Sequence, residues 1–270
     1  MTTTTVRDAS VRRIPDWVLG AAGVLALLIV LELLPQLGMV DARYLPPVSE
    51  MLGALFAIAT TSTFWIALGQ TLLTWLIGLG ISLLAGVGIG VLLGTVGWLR
   101  EYTASTIEFL RPVPSVALIP VAVLLLGTGM PSTLLLVVYA SFWQILMQVM
   151  AGVQDIDPVA SDTARSYRFR PLTRIRSVVW PTTLPFAMTG LRLAASVALI
   201  LTVTVTGELL ISGDGIGGRL ALARESGAVA PMYAYVIVAG ALGVIVNVIA
   251  RATERRTLSW HPSIRTEAHA

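Results

Sequence analysis

The sequence predicts an all-α integral membrane protein with six transmembrane helices, and three observations carry that expectation. Hydrophobic residues make up 56% of the 270-residue chain and charged residues 12%, against about 25% charged in a soluble domain. The chain therefore lacks the polar surface to cover itself in water. Six stretches suit the roughly 20 mostly apolar residues that a bilayer crossing needs: about 17–34, 68–96, 107–126, 132–150, 186–211 and 233–250. All eighteen basic residues are arginine, and most of them gather in alternate connections between those stretches.

The arginine distribution orients the spans. Arg7, Arg12 and Arg13 precede the first; Arg100 lies between the second and third; Arg165, Arg168, Arg170, Arg174 and Arg176 lie between the fourth and fifth; Arg251, Arg255, Arg256 and Arg265 follow the sixth. With six spans these regions share one side. Arginines near span ends resist translocation, so that side, with both termini, is expected to be cytoplasmic. The opposite side holds Arg43, Arg219 and Arg224, offset by Asp41, Glu50, Asp214 and Glu225. Arg12 and Arg13 before an apolar run have the outline of a secretory signal. The run is long for a signal core and no small-x-small cleavage site follows, so it reads as a retained span. The chain divides into 1–62 (tail, first span and an outer interfacial helix), 63–256 (five spans and a polar loop at about 155–181) and a tail at 257–270.

The individual elements follow from local pattern. Pro46 and Pro47 stop the chain after the first span, and Ser49 is placed to cap a short helix over about 47–58, too weakly apolar for a span. Gly78, Ser82, Gly86, Gly90 and Gly94 recur every four residues in the second span, a spacing that lets helix backbones approach closely. That stripe serves either a dimer contact or packing within one subunit, and the second reading is favoured. Pro112, Pro114 and Pro120 bend or break the third span. Glu108 and Arg111, three apart, are placed to pair. Glu32 reads as interfacial. After the fifth span, Gly213, Gly215, Gly217 and Gly218 lack the strand and lysine of a phosphate loop and read as a tight turn.

Little catalytic chemistry is available. There is no cysteine, and the two histidines, His261 and His269, lie in the C-terminal tail. Without a nucleophile–base pair or metal ligands in the spans, an intramembrane enzyme is disfavoured. Polar residues inside spans are costly and hence functional candidates. Ser141, Gln144 and Gln148 share a face of the fourth span; Thr202 and Thr206 share a face of the fifth, where Arg192 and Glu208 stand roughly 24 Å apart; Asn247 lies late in the sixth. They line a solute path or make hydrogen bonds between helices. Arg192 meets an anion or, as favoured here, holds a neighbouring helix end.

The most informative segment is the polar island 157–185, DPVASDTARSYRFRPLTRIRSVVWPTTLP. Asp157 before Pro158 is a helix start, with the acid at the cap and proline in the first turn, and a helix to about Ser166 is expected. Thr173 is placed to open a second short helix over about 174–179. Pro181 and Pro185 then mark the start of span five. Two surface helices with exposed arginines would form a docking knob; the other reading of the same pattern is a solvated cytoplasmic loop that only obeys the positive-inside rule.

This stretch resembles the coupling-loop signature of inner-membrane permease subunits of ATP-binding-cassette importers: Glu-Ala-Ala, three residues, Gly, nine residues, then Ile-x-Leu-Pro. Here it reads Asp162-Thr163-Ala164, then Arg168, then Val178-Val179-Trp180-Pro181. FLRPVPSVALIPVAVLLLGTG in span three, IDPVASDTARS in the island, LPFAMTGLRLA at the start of span five and GELL at its end resemble the nitrate, sulfonate and taurine branch of that family. The resemblance implies a type I importer permease fold, a plasma (inner) membrane location in a bacterium, a second and identical permease subunit, two ATPase subunits and an extracytoplasmic substrate-binding protein that docks on the outer loop at about 212–230. ATP and Mg are then used on the partner ATPase, and this subunit binds no cofactor. The resemblance further implies that Asp162, Ala164, Arg165, Arg168, Arg170, Arg174 and Pro181 meet the ATPase, and that the solute is a small anion. Arg168 departs from the family's glycine. Its position is one where a turn often takes positive φ, which a side chain opposes by roughly 1 kcal/mol or more. A reshaped turn, with Phe169 and Pro171 compensating, is expected. The rival reading is an ion-coupled secondary transporter, although no repeat between the halves is evident.

Overall fold

The computed structural model describes residues 16–209 and 215–258, and these are helical apart from short connections. The elements are α1 (Asp16–Gln36), α2 (Val48–Ala59), α3 (Ser62–Thr95), α4 (Gly97–Leu110), a 3-10 turn (Ser115–Leu118), α5 (Ile119–Leu126), α6 (Met130–Gln154), α7 (Pro158–Ser166), α8 (Pro171–Arg174), a π turn (Ile175–Val179), α9 (Trp180–Leu209), α10 (Ile216–Glu225) and α11 (Val229–Thr257). Five helical stretches are long and apolar enough to cross a membrane, and a sixth span results if the bent pair α4 and α5 counts as one. The side chains of Thr206 and Glu208, residues 210–214 and both tails lie outside what is described.

The core is a sandwich of α3, α6 and α9, with α6 in the middle. The small-residue stripe builds it. A methyl group added at Gly86 would stand 2.8 Å from Ile145 Cγ2, and one at Gly90 2.8 Å from Val149 Cγ1. At Gly78 and Gly94 the corresponding contacts are 2.6 Å, with Val137 and Val153. Each glycine thus receives a branched side chain of α6, and Ser82, fully buried, donates its Oγ hydrogen to the Gly78 carbonyl at 2.8 Å. The stripe is internal packing, the favoured one of the two readings. On the other face of α6, Gly190 of α9 lies against Gln148 and the Ile145 backbone, and Gly152 lies against Phe186. The Trp75 indole of α3 donates to the Ala195 carbonyl of α9 at 2.9 Å, closing the third side.

The third span is broken rather than gently bent: its two helices meet at 82°. Proline explains the site. Leu110 would accept a helical bond from residue 114, but Pro114 has no N–H. The Val113 N–H, at 3.1 Å, and the Tyr139 hydroxyl of α6, at 2.5 Å, donate to that carbonyl instead. Freed carbonyls in membrane helices need such a neighbour. Tyr139→Phe should therefore lower stability by about 1 kcal/mol, read as a lower thermal midpoint in detergent with the fold retained. Arg100, expected in a connection, lies in α4. Glu108 and Arg111 are both exposed and make no ion pair with each other.

Two corrections concern the ends of spans. Ser49 does not cap its own helix. Its N–H and hydroxyl donate to the two oxygens of Glu32 at 2.9 and 2.8 Å, so a carboxylate on α1 satisfies the first turn of α2. Glu32 thereby tethers α1 to α2. Gly217 and Gly218 are not a tight turn; they lie in the first turn of α10, with Gly215 extended at the N-cap. Both are buried where α10 packs against α9, α11 and α3, and the Ile216 N–H donates to Thr71 Oγ1 at 2.9 Å.

Candidate functional site

The island folds as a compact knob at one end of the bundle. Its first helix starts as the residues dictate: Asp157 Oδ1 accepts from the Val159 N–H at 2.9 Å, and Pro158 occupies the first position. Ala164 is the buried residue of α7, which packs on the π turn. The end of α7 is a Schellman closure. The Phe169 N–H bonds the Ala164 carbonyl at 3.0 Å and the Arg168 N–H bonds the Arg165 carbonyl at 2.9 Å. Arg168 takes φ +52°, and no other non-glycine residue among those described has positive φ. The turn is thus not reshaped around arginine. Arginine adopts the left-handed conformation that glycine would take freely.

The second half of the island differs from expectation. Thr173 opens no helix; Pro171 does, with Arg170 at the N-cap, in keeping with the preference for proline in the first turn. From there the chain runs through the π turn into α9 without a break, so Pro181 and Pro185 lie inside a helix instead of preceding one. Pro181 would leave the Ser177 carbonyl without its N–H, and the widened turn directly before it is the kind of irregularity that absorbs such a defect. The combined segment 171–205 has 35 residues, roughly 52 Å at helical rise. Its apolar part crosses the roughly 30 Å hydrocarbon layer, and its basic start projects beyond.

Six of the seven residues for which the family resemblance implies ATPase contact gather in this knob. Asp162 and Arg165 pair at 3.6 Å on a solvated face, an arrangement of little net worth. Arg174 donates to Ser161 Oγ at 3.1 Å, tying α8 to α7. Arg168 and Arg170 are exposed. Pro181 stands apart, in the first turn of α9. Among the described residues, the side chains of Arg168, Arg170 and Arg176 have no hydrogen-bond or ion-pair partner. Val159, Tyr167 and Leu172, in the same island, are exposed, each at 70% or more.

Of the polar residues of the spans, Ser141 and Gln148 lie at the seam between α6 and α9. Ser141 is fully buried and donates to the Ala194 carbonyl at 3.4 Å. Thr202 is buried and donates to the Ala198 carbonyl of its own helix at 2.7 Å. Gln144 and Gln148 are half-buried. Arg192 pairs with Glu254 of α11 at 3.2 Å, a partner 62 residues away that no local pattern announces. Arg192→Gln should cost about 1 kcal/mol, since the pair is partly solvated. A double-mutant cycle with Glu254→Gln in thermal unfolding would read that coupling.

An apolar bundle of five or six spans with a basic knob between two of them defines a polytopic membrane protein. The model of the binding-protein-dependent transport system inner membrane component family matches residues 82–259, and the chain belongs to that family. It is 28% identical to the taurine transport system permease protein TauC of Escherichia coli (strain K12) over 85% of this chain and 84% of that one. It is 27% identical to the putative aliphatic sulfonates transport permease protein SsuC of Bacillus subtilis (strain 168) over 96% and 93%. A solved structure titled as an inward-facing conformation of the MetNI methionine ABC transporter superposes with a TM-score of 0.59, at 16% identity, over 69% of this chain and 92% of that one. That likeness carries the fold.

Proposed function

We propose that this chain is the membrane subunit of an ATP-driven importer for a small anion, working as an identical pair, with an ATPase subunit gripping each island and a substrate-binding protein delivering solute at the far end. The observation that carries the coupling reading is the knob: a fixed turn, unpaired arginines and exposed apolar side chains, standing on a helix that continues into the bundle core. ATP and Mg act on the partner. When the ATPases close, a push on α7 and Pro171–Arg174 travels directly along the 171–205 segment, because no break separates the knob from α9. That motion acts on the α6–α9 seam. The side bearing the knob is cytoplasmic, by its arginine excess.

The anion class is supported by relatives named for taurine, aliphatic sulfonates, nitrate and bicarbonate transport. Ser141, Gln144, Gln148, Arg192, Thr202 and Thr206 are proposed to line the pathway. Gln144 and Gln148 carry this assignment best, being half-buried. Ser141 and Thr202 become reachable only as α6 and α9 part, and Arg192 only as its pair with Glu254 opens. The far-end docking surface is proposed for α10 and its flanks.

The test is energy coupling. Labelled taurine, an alkanesulfonate and nitrate are offered to cells carrying the chain with its ATPase and binding protein. Uptake should persist when ionophores collapse ion gradients and stop when the ATPase is inactivated. Uptake that follows the ion gradient and ignores the ATPase would establish the secondary-transporter reading instead.

A further inference from the structure

We infer that Arg168 is a partner-selecting residue: its guanidinium is held out by the turn between α7 and α8 to meet a carboxylate on the ATPase subunit. This rests on the importer reading above and adds to it the residue and the chemistry that choose the partner.

Three observations converge on Arg168. Its backbone stands at φ +52°, a conformation that disfavours any side chain and that glycine takes without strain. If the turn alone mattered, glycine would serve better, so the arginine side chain is what the strain maintains; strained residues of this kind cluster at functional positions. The turn is also fixed. Both bonds of the Schellman closure are made, at 2.9 and 3.0 Å, so the Cα–Cβ direction is set before any partner arrives, which lowers the ordering cost of binding. Finally, the guanidinium is uncommitted. Arg165 has Asp162 and Arg174 has Ser161, whereas the exposed Arg168 has no partner among the described residues.

The neighbours define the chemistry of the occupant. Tyr167, directly before Arg168, and Leu172, four residues after it, are 76% and 77% exposed. Apolar anchors around an arginine are the composition of a protein contact centre. Arginine's planar fork matches a carboxylate in two hydrogen bonds, which a lysine ammonium does not reproduce. The partner therefore presents an acidic side chain inside a shallow apolar cleft.

The test uses the full chain in nanodiscs of zwitterionic lipid and the ATPase subunit that co-purifies with it, titrated by fluorescence. Arg168→Gly should melt at the same temperature or higher, yet bind the ATPase at least about tenfold more weakly, with Arg168→Lys in between. Replacing the facing ATPase carboxylate with arginine should restore binding to Arg168→Glu. Equal or tighter binding by Arg168→Gly would overturn the inference and leave the importer reading standing. A loss seen only in discs containing anionic lipid would also overturn it, assigning Arg168 to headgroups. Failure of the unaltered chain to bind any ATPase would overturn both.

Discussion

Replacing Gly86 and Gly90 together with leucine is expected to unfold the bundle at a far lower temperature than the natural chain, whereas leucine at Gly80 or Gly88 should be tolerated. All four lie on α3 and differ in what faces them. The first methyl alone at Gly86 would stand 2.9 Å from Ile145 Cβ and 3.4 Å from the Leu146 backbone nitrogen; at Gly90 it would stand 2.9 Å from Val149 Cβ and 3.3 Å from the Leu146 carbonyl. A flexible side chain can move aside, but the backbone of α6 cannot without separating the helices. Overpacking of this kind costs about 1–3 kcal/mol per site, and two adjacent turns cannot relax independently. Gly80 and Gly88 have nothing within 4 Å. Thermal unfolding followed by size-exclusion of the solubilised protein would separate the two pairs. Equal tolerance at all four positions would mean that α3 and α6 do not pack as described.

The second large effect is expected at the knob. Changing Arg165, Arg170 and Arg174 together to glutamate turns three positive charges into three negative ones and should lose the ATPase completely, while the thermal midpoint of the bundle changes little. Arg165 and Arg170 are exposed and Arg174 is half-buried, so solvent accommodates the new charges. A facing acidic surface does not, since juxtaposed like charges cost several kcal/mol at an interface. Because arginines also set topology, the matching glutamine variant is the control. It should keep the orientation and bind weakly. Full retention of the ATPase by the glutamate variant would remove the island from coupling.

The long apolar runs of α1, α3, α6 and α11 were legible because span length is a property of composition. So was the start of α7, because Asp157 and Pro158 act on the next few residues only. The glycine stripe announced close packing, and its partner became visible only when Val137, Ile145, Val149 and Val153 proved to face it. What escaped was of two kinds. Pro181 and Pro185 signal a helix boundary locally, yet a π turn and the packing of α9 carry the helix through them. The contacts Glu32–Ser49, Tyr139–Leu110 and Arg192–Glu254 join positions 17, 29 and 62 residues apart, and nothing in their immediate neighbours encodes such pairings. At Arg168 the place of the positive-φ turn was legible from the glycine it replaces. That arginine would accept the glycine conformation was not.

Contact between the island and an ATPase can be measured directly. The chain contains no cysteine, so Tyr167→Cys supplies a unique thiol at the exposed tip of the knob. Labelled with a maleimide photo-crosslinker in native membranes and illuminated, it should yield a covalent adduct whose additional peptides include a nucleotide-binding loop, while the same label at Leu222→Cys on α10 yields no such adduct. Adducts from position 167 with lipid alone, in membranes where the ATPase is present, would contradict that contact.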